Sequence, residues 1–357
     1  MAAGTYKPTT DTNREATFQL KSGVAIYGGF PVNGGDWETR DWETNVTTLS
    51  GDIGVIGDNV DNSCKVVTSI GVDNATVLDG FTIIGGNANE ASLYLTEGGG
   101  MYNISGNPTL TNIIFTNNVA KYDGGGMYNI DSSPNLRNVT FSNNSADYFG
   151  GGMYNYLGSP SLTNVTFSGN SSTNDAGGMY NSSSNPSLTN VTFKGNIAYD
   201  SGGGMLNYHS SPSLSNVTFS GNSALLGGGM YNNNDSHPSL TNSILWGNSP
   251  DQIVGGQLNS ATYNDIQGGY PGTGNINQDP LLGPLANNGG LTQTHALGAE
   301  SPAIDAGDPK VCSAEDQRGF FRPIDGDGDG LAICDMGAYE YGSAGPGISL
   351  FLPLIQK

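Results

Sequence analysis

The chain has 357 residues, 55 of them glycine, and sets 12 Lys and Arg against 32 Asp and Glu for a formal charge of -20. Nucleic acid and anionic membrane surfaces both demand clustered positive charge, so neither is an expected partner. Charged residues make up only 12% of the chain while apolar ones reach 36%, which disfavours a helical bundle yet leaves enough core-forming side chains for a fold of strands and turns.

The opening Met1-Ala2-Ala3-Gly4 is not a charged segment leading into an apolar one, and no run of about 18 apolar residues follows it anywhere. Poor in lysine and rich in Gly, Asn, Ser and Thr, the chain reads as an extracellular or cell-surface segment without a visible export signal, and no membrane insertion is expected. Residues 1–97 hold irregular coils, such as Val24-Ala25-Ile26-Tyr27-Gly28-Gly29-Phe30 and Val77-Leu78-Asp79-Gly80-Phe81-Thr82-Ile83-Ile84. Nothing in them forms an amphipathic cap, and a bare first coil would be a template for another chain.

Residues 98–248 carry six copies of one unit. Met101, Met127, Met153, Met179, Met205 and Met230 each follow a glycine run, at spacings of 26 or 25. Pro108, Pro134, Pro160, Pro186, Pro212 and Pro238 keep a spacing of 26 throughout, as do Phe115, Phe141, Phe167, Phe193 and Phe219. The unit shows no helical stripe, only short alternating runs punctuated by Gly, Pro and Asn. One such unit cannot bury its own apolar face, but stacked copies place Met on Met, Leu on Leu and Phe on Phe. Left-handed β-helices use hexapeptides, about 18 residues per coil, so the expected fold is all-β: a right-handed parallel β-helix of about 26 residues and three strands per coil. About ten coils would give a rod of roughly 50 Å.

Three asparagine columns run through the repeats: Asn103 to Asn232, Asn112 to Asn242, and Asn118 to Asn248. Asn tolerates left-handed backbone angles and stacked amides bond from coil to coil, so each column is expected to mark one corner of a three-sided coil. Asn-Val-Thr at 138, 164, 190 and 216 also matches the glycosylation sequon, but sequons in register are better explained by ladder geometry. Tyr102, Tyr128, Tyr154, Tyr180 and Tyr231, interrupted by Leu206, follow the core methionines and point outward if Met points in. They form a candidate glycan-contact stripe, against the alternative that the rings stack on one another for stability. Thr140, Thr166, Thr192 and Thr218 form a hydroxyl row faintly suggestive of ice binding. Glu97, Asp123 and Asp175 share a position four before Met, with Phe149, Ser201 and Leu226 there in the other coils. That is short of the paired carboxylates a sugar-cleaving β-helix enzyme requires.

Residues 249–299 continue as irregular coils and 300–341 form an expected C-terminal cap. Within it, Asp325-Gly326-Asp327-Gly328-Asp329-Gly330 alternates carboxylates with glycines, the arrangement a hard cation with oxygen ligands needs, and calcium is the natural occupant. An EF-hand would place Glu at the twelfth loop position; here Met336 stands there, with Asp335 one place earlier, so the expected ligands are Asp325, Asp327, Asp329 and Asp335 of a non-EF loop. Cys312 and Cys334, 22 positions apart, are an expected disulfide, leaving Cys64 over. Metal and bridge together would seal the last coil. Residues 342–357 comprise a Gly345-Pro346-Gly347 linker and an apolar strand-like tail with Leu350, Phe351, Leu352, Leu354 and Ile355. It is expected to dock on a partner, such as the open end of the next subunit.

Two motifs, as in Gly125-Gly126-Met127 with Phe141-Ser142-Asn143-Asn144, resemble the repeats of polymorphic outer membrane proteins and related bacterial surface β-helices. The stretches Asn287-Asn288-Gly289-Gly290, Ser301-Pro302-Ala303-Ile304-Asp305-Ala306-Gly307, Asp316-Gln317-Arg318-Gly319 and Asp335-Met336-Gly337-Ala338-Tyr339-Glu340 are similar to the choice-of-anchor Q segment of secreted bacterial proteins. These resemblances imply a secreted or surface β-helix and supply no catalytic residues. The expectation is therefore a non-enzymatic structural or adhesive protein, its partners being other copies of itself or surface glycans, with a carbohydrate-active β-helix enzyme as the alternative.

Overall fold

The computed structural model describes residues 1–89, 95–233 and 235–343. They form a right-handed parallel β-helix, the hand that crossovers between parallel strands take. Each regular coil has three strands: four residues starting at the core Met, eight residues through the Leu-x-Asn-Val-x-Phe run, and two residues after it. Stacking these strands gives three sheets. The long sheet runs from Gly4–Tyr6 through Val77–Ile84, Thr109–Thr116 and Ser213–Ser220 to Ser260–Thr262, ten strands in line, about 45 Å at one rung per ~4.8 Å. The methionine sheet runs from Phe18–Gln19 to Ile253–Gly255, and the short sheet from Asn87–Ala88 to Ile197–Ala198. Register is set residue for residue, Met127 on Met153 and Phe141 on Phe167.

The core is a set of side-chain columns. Met101, Met127, Met153, Met179, Met205 and Met230, with Phe115, Phe141, Phe167, Phe193 and Phe219, are fully buried, and these phenyl rings stack at 4.5–4.8 Å with 3–4° between planes. A ring stacked on its twin removes both faces from water at no cost in shape matching. The glycines before each Met are required by the close approach of the coils. A Cβ on Gly126 would lie 2.5 Å from the Gly152 carbonyl oxygen and 2.9 Å from the Phe141 ring. Coil geometry begins before the sequence repeat does, since Val67–Ile70 and Val77–Ile84 already pair in register with the first regular unit.

Of the three asparagine columns, one behaves as expected of corners. Asn112, Asn138, Asn164, Asn190, Asn216 and Asn242 have φ of 50–57°, and this left-handed residue bends the long strand in its middle so that Leu and Val, three apart, both face inward. Their amides donate from coil to coil toward the N-terminus, Asn138 to Asn112 and Asn164 to Asn138, and Asn112 donates to Asp79. The other two columns are buried ladders inside the helix. Asn103 to Asn232 lies within the methionine strands, each Nδ2 donating to the next Oδ1 at 2.8–2.9 Å. In the Asn118 to Asn248 column both the backbone N–H and Nδ2 of one residue donate to Oδ1 of the next, as Asn144 does to Asn170. The turn at that corner is taken by the preceding residue, Asn117, Asn143, Gly169, Gly195, Gly221 or Gly247, all at positive φ.

The C-terminal segment is not an end cap. After an antiparallel hairpin of Leu282–Ala286 with Thr294–Leu297, it runs along the outer face of the long sheet as a clamp across several coils. Gln293 O accepts from Thr166 Oγ1 at 2.8 Å, Gln317 Oε1 from Thr192 Oγ1 at 2.7 Å, and Ala338 N–H donates to Thr218 Oγ1 at 3.1 Å. A second apolar cluster of Ile244, Leu297, Ala303, Ile304 and Met336 holds it against the sheet. At the other end of the helix, Tyr6, Phe18 and Ile26 pack half-buried on the core. No helix among the described residues is long and apolar enough to cross a membrane.

Candidate functional site

Four features singled out by sequence fall on surfaces the fold now locates. The acidic loop hangs from the clamp, where oxygens of Asp325 and Asp327 converge with one of Asp305, all within 4.8 Å of each other. Asp305 Oδ2 also accepts the backbone N–H groups of Gly326 and Asp327 at 2.9 and 2.8 Å, which pins the loop beneath it. Three oxygen donors so placed suit a hard divalent cation. Asp329 is exposed and accepts the Leu331 N–H instead. Asp335 points the other way, into a buried network: Oδ1 accepts the Asp305 N–H at 2.8 Å and Oδ2 accepts from Tyr341 N–H. Beside it lie Glu340, Arg322 at 2.7 Å from Glu340, and the Asp316–Arg318 pair at 2.7 Å, all nearly or fully buried. Burial first, then the charge of Glu340, pushes Asp335 up to about 8; burial likewise raises Glu340. With three carboxyls against two guanidiniums the network is balanced when one proton is retained. Asp305 was missed by spacing because it lies 20 residues before the loop.

Cys312 and Cys334 are disulfide-bonded, with Cα atoms 6.1 Å apart, and Cys64 is buried in the N-terminal coils. The bridge ties the clamp at Cys334 to residues that reach Asn242, whose Oδ1 accepts the Asp308 N–H at 2.7 Å.

The tyrosine stripe stacks on itself. Tyr102, Tyr128, Tyr154 and Tyr180 have centroids 5.1–5.4 Å apart and planes within 16°, so their faces are occupied by neighbours; Tyr180 is buried and the other three are half-buried. Lys65 Nζ sits 3.2 Å over the Tyr102 ring as a cation–π contact. Beyond Leu206, which is buried in the same row, Tyr231 packs half-buried against it. A sugar ring stacks on an aromatic face, and this stripe presents few.

Beside the stripe lie Glu97, Asp123 and Asp175. Burial, then the charge of Glu97, raises Asp123 to about 7; burial raises Asp175 to about 6 and also lifts Glu97. Asp123 and Asp175 flank Phe149 in consecutive rungs, two spacings or ~10 Å apart. The Phe149 ring stacks on Tyr180 at 4.6 Å and fills the place where a water or a glycosidic bond would sit between two working carboxyls.

The hydroxyl row is not a free flat face. Thr166, Thr192 and Thr218 are 0–3% exposed beneath the clamp, which removes the geometry ice binding would need. The amides of the repeat sequons are likewise spent: Asn138 and Asn164 donate in their ladder, Asn190 donates to Glu315 O, and Asn216 lies buried against Asp335 and Gly337. Leu350, Phe351, Leu352, Leu354 and Ile355 lie outside the described residues.

Residues 138–155, which run from the long strand of one coil to the methionine strand of the next, match the Chlamydia polymorphic membrane protein (Chlamydia_PMP) repeat. No curated protein matches the chain. Among solved structures, the crystal structure of pectate lyase Pel9A is similar over 95% of this chain and 86% of its own, at 14% identity and a TM-score of 0.45. Residues 138–155 are thus similar to a polymorphic membrane protein repeat, and they lie on the parallel β-helix.

Proposed function

We propose that this chain is a secreted or surface-displayed rod with a structural or adhesive role, doing no chemistry of its own. The observation that carries this reading is the way its columns are spent on themselves. Phenylalanines stack on phenylalanines, amides bond to amides, tyrosines cover tyrosines, and the most regular part of the long sheet lies under the clamp. Of the carboxyls beside the stripe, Asp123 and Asp175 are separated by the rung that carries the Phe149 ring. What remains exposed varies from coil to coil, which suits recognition of a surface better than turnover of a repeating substrate. The type of repeat supports display outside the cell, and the disulfide suits an oxidising compartment.

In this reading calcium is structural. Asp305, Asp325 and Asp327 would hold it, and its charge would tie the acidic loop to the clamp. The reading is tested by incubating purified protein with immobilised and soluble acidic and neutral polysaccharides, with and without calcium. Retention without new reducing or unsaturated ends is the expected result; release of either kind of end would overturn it in favour of a carbohydrate-active enzyme.

A further inference from the structure

The outward column of the long sheet has two halves. From Thr166 to Ile244 it is buried under the clamp, whereas Thr140, Ile114 and Thr82 are half-exposed. Thr82 and Ile114 floor a groove of about 220 Å³ with Trp42, Glu43 and Val46 on one wall and Leu291, from the clamp, on the other.

We propose that this groove is the seat of the chain's own residues 348–355, so that one continuous C-terminal cover runs over the outward column from Ile244 to Thr82. Three observations select this occupant. The first is where the described chain stops. Ser343 Oγ accepts from Arg318 Nη2 at 2.6 Å, Arg318 Nη1 donates to Asn288 O at 3.4 Å, and the Arg318 backbone lies so close to Gly290 that a Cβ there would meet its Cα at 2.5 Å. Gly290 adjoins Leu291, so Ser343, where the described residues end, lies about the length of the Arg318 side chain from the groove's wall. The second is reach: fourteen residues follow Ser343, enough for ~45 Å of extended chain, while three rungs span ~15 Å. The third is chemistry. Ile114, Val46, Leu291 and Trp42 present apolar surface, and Ile348-Ser349-Leu350-Phe351-Leu352-Pro353-Leu354-Ile355 carries no charge. The neighbouring rungs are already covered by the same C-terminal chain, so the seat continues an interface the molecule has.

Hydrogen exchange tests it in the full chain. The wild type is compared with a tail variant, Leu350→Asp with Phe351→Asp and Leu352→Asp, and with a floor variant, Ile114→Asp. Peptides covering residues 41–47 should exchange at least about tenfold faster in both variants than in the wild type. A synthetic 344–357 peptide should restore protection to the tail variant but not to the floor variant. Exchange at the Asn144 amide, in the core ladder, reports that all three are folded. Equal exchange at 41–47 in wild type and tail variant would overturn the proposal. So would protection that disappears on dilution together with a dimer seen by light scattering, which would mean that the tail occupies a second copy. Neither result bears on whether the rod cleaves polysaccharide.

Discussion

Asn170 stands in the middle of the buried amide ladder. Its Oδ1 accepts both the backbone N–H of Asn144, at 3.1 Å, and Asn144 Nδ2, at 3.0 Å. Its own Nδ2 donates to Asn196 Oδ1 and to Phe141 O, each at 2.9 Å. Asn170→Ala therefore strands one backbone donor and one amide hydrogen of Asn144 at a site with no solvent access, and takes a donor from the Phe141 carbonyl. An orphaned buried donor costs about 1–3 kcal/mol, so two of them with the lost carbonyl bond predict about 4 kcal/mol. The same chemistry in the half-exposed Asn138, replaced by Gly so that its positive φ of 54° is kept, is predicted to cost about 1 kcal/mol because water can stand in. Urea titration followed by circular dichroism gives the global loss, and hydrogen exchange at the Asn144 amide gives the local one. A cost below about 1 kcal/mol for Asn170→Ala, with the Asn144 amide still protected, would refute the account of the ladder as a chain of obligatory bonds.

Three further outcomes follow from the same geometry. Gly126→Ala drives a Cβ against the Gly152 carbonyl and should cost about 3 kcal/mol, whereas Gly195→Ala, with φ of 61° but nothing within 4 Å, should cost only about 1 kcal/mol; thermal melts compare them. Asp123 is raised to about 7 by burial and by Glu97, so the folded state holds its proton after the unfolded chain has released it near 4. Its contribution is most favourable at low pH, declines as pH rises to about 7 and is flat above. Asp123→Asn should therefore match wild type near pH 4 and exceed it by about 2–4 kcal/mol at pH 8 in urea titrations. If calcium sits in the acidic loop, added calcium should raise the melting temperature of the wild type and of Asp335→Asn but not of Asp305→Asn; an equal rise in all three would exclude the Asp305 site.

Much of the helix could be read from the sequence because it repeats the same side chains at a fixed interval, and stacking identical residues is what a coil does. The asparagines were harder. Left-handed corners and buried ladders both select Asn, so the residue alone does not tell one from the other. A signal was present at the corner after Phe, where Asn117 and Asn143 give way to Gly169, Gly195, Gly221 and Gly247 down one column: only a demand for positive φ treats Asn and Gly as equivalents, while a ladder would have rejected glycine. The clamp had no such signal. Gln317 reaches Thr166 across 151 positions, and its partners are bonded through hydroxyls and backbone groups that carry no periodicity. For the same reason Asp305 joined the acidic loop only in three dimensions, and Asp335, adjacent in sequence to a plausible ligand set, turned inward to the guanidiniums.

The clamp also makes the rod's length heritable in only one half of the molecule. Duplicating a unit ahead of Asn135 would add one storey and leave the grip on Thr166, Thr192 and Thr218 untouched, while drawing Trp42 away from Leu291. Duplicating one among the clamped coils would shift every anchor point by a full rung and tear the C-terminal chain from its footholds. Growth and shrinkage of such a gene by recombination should therefore be tolerated near its start and purged near its end.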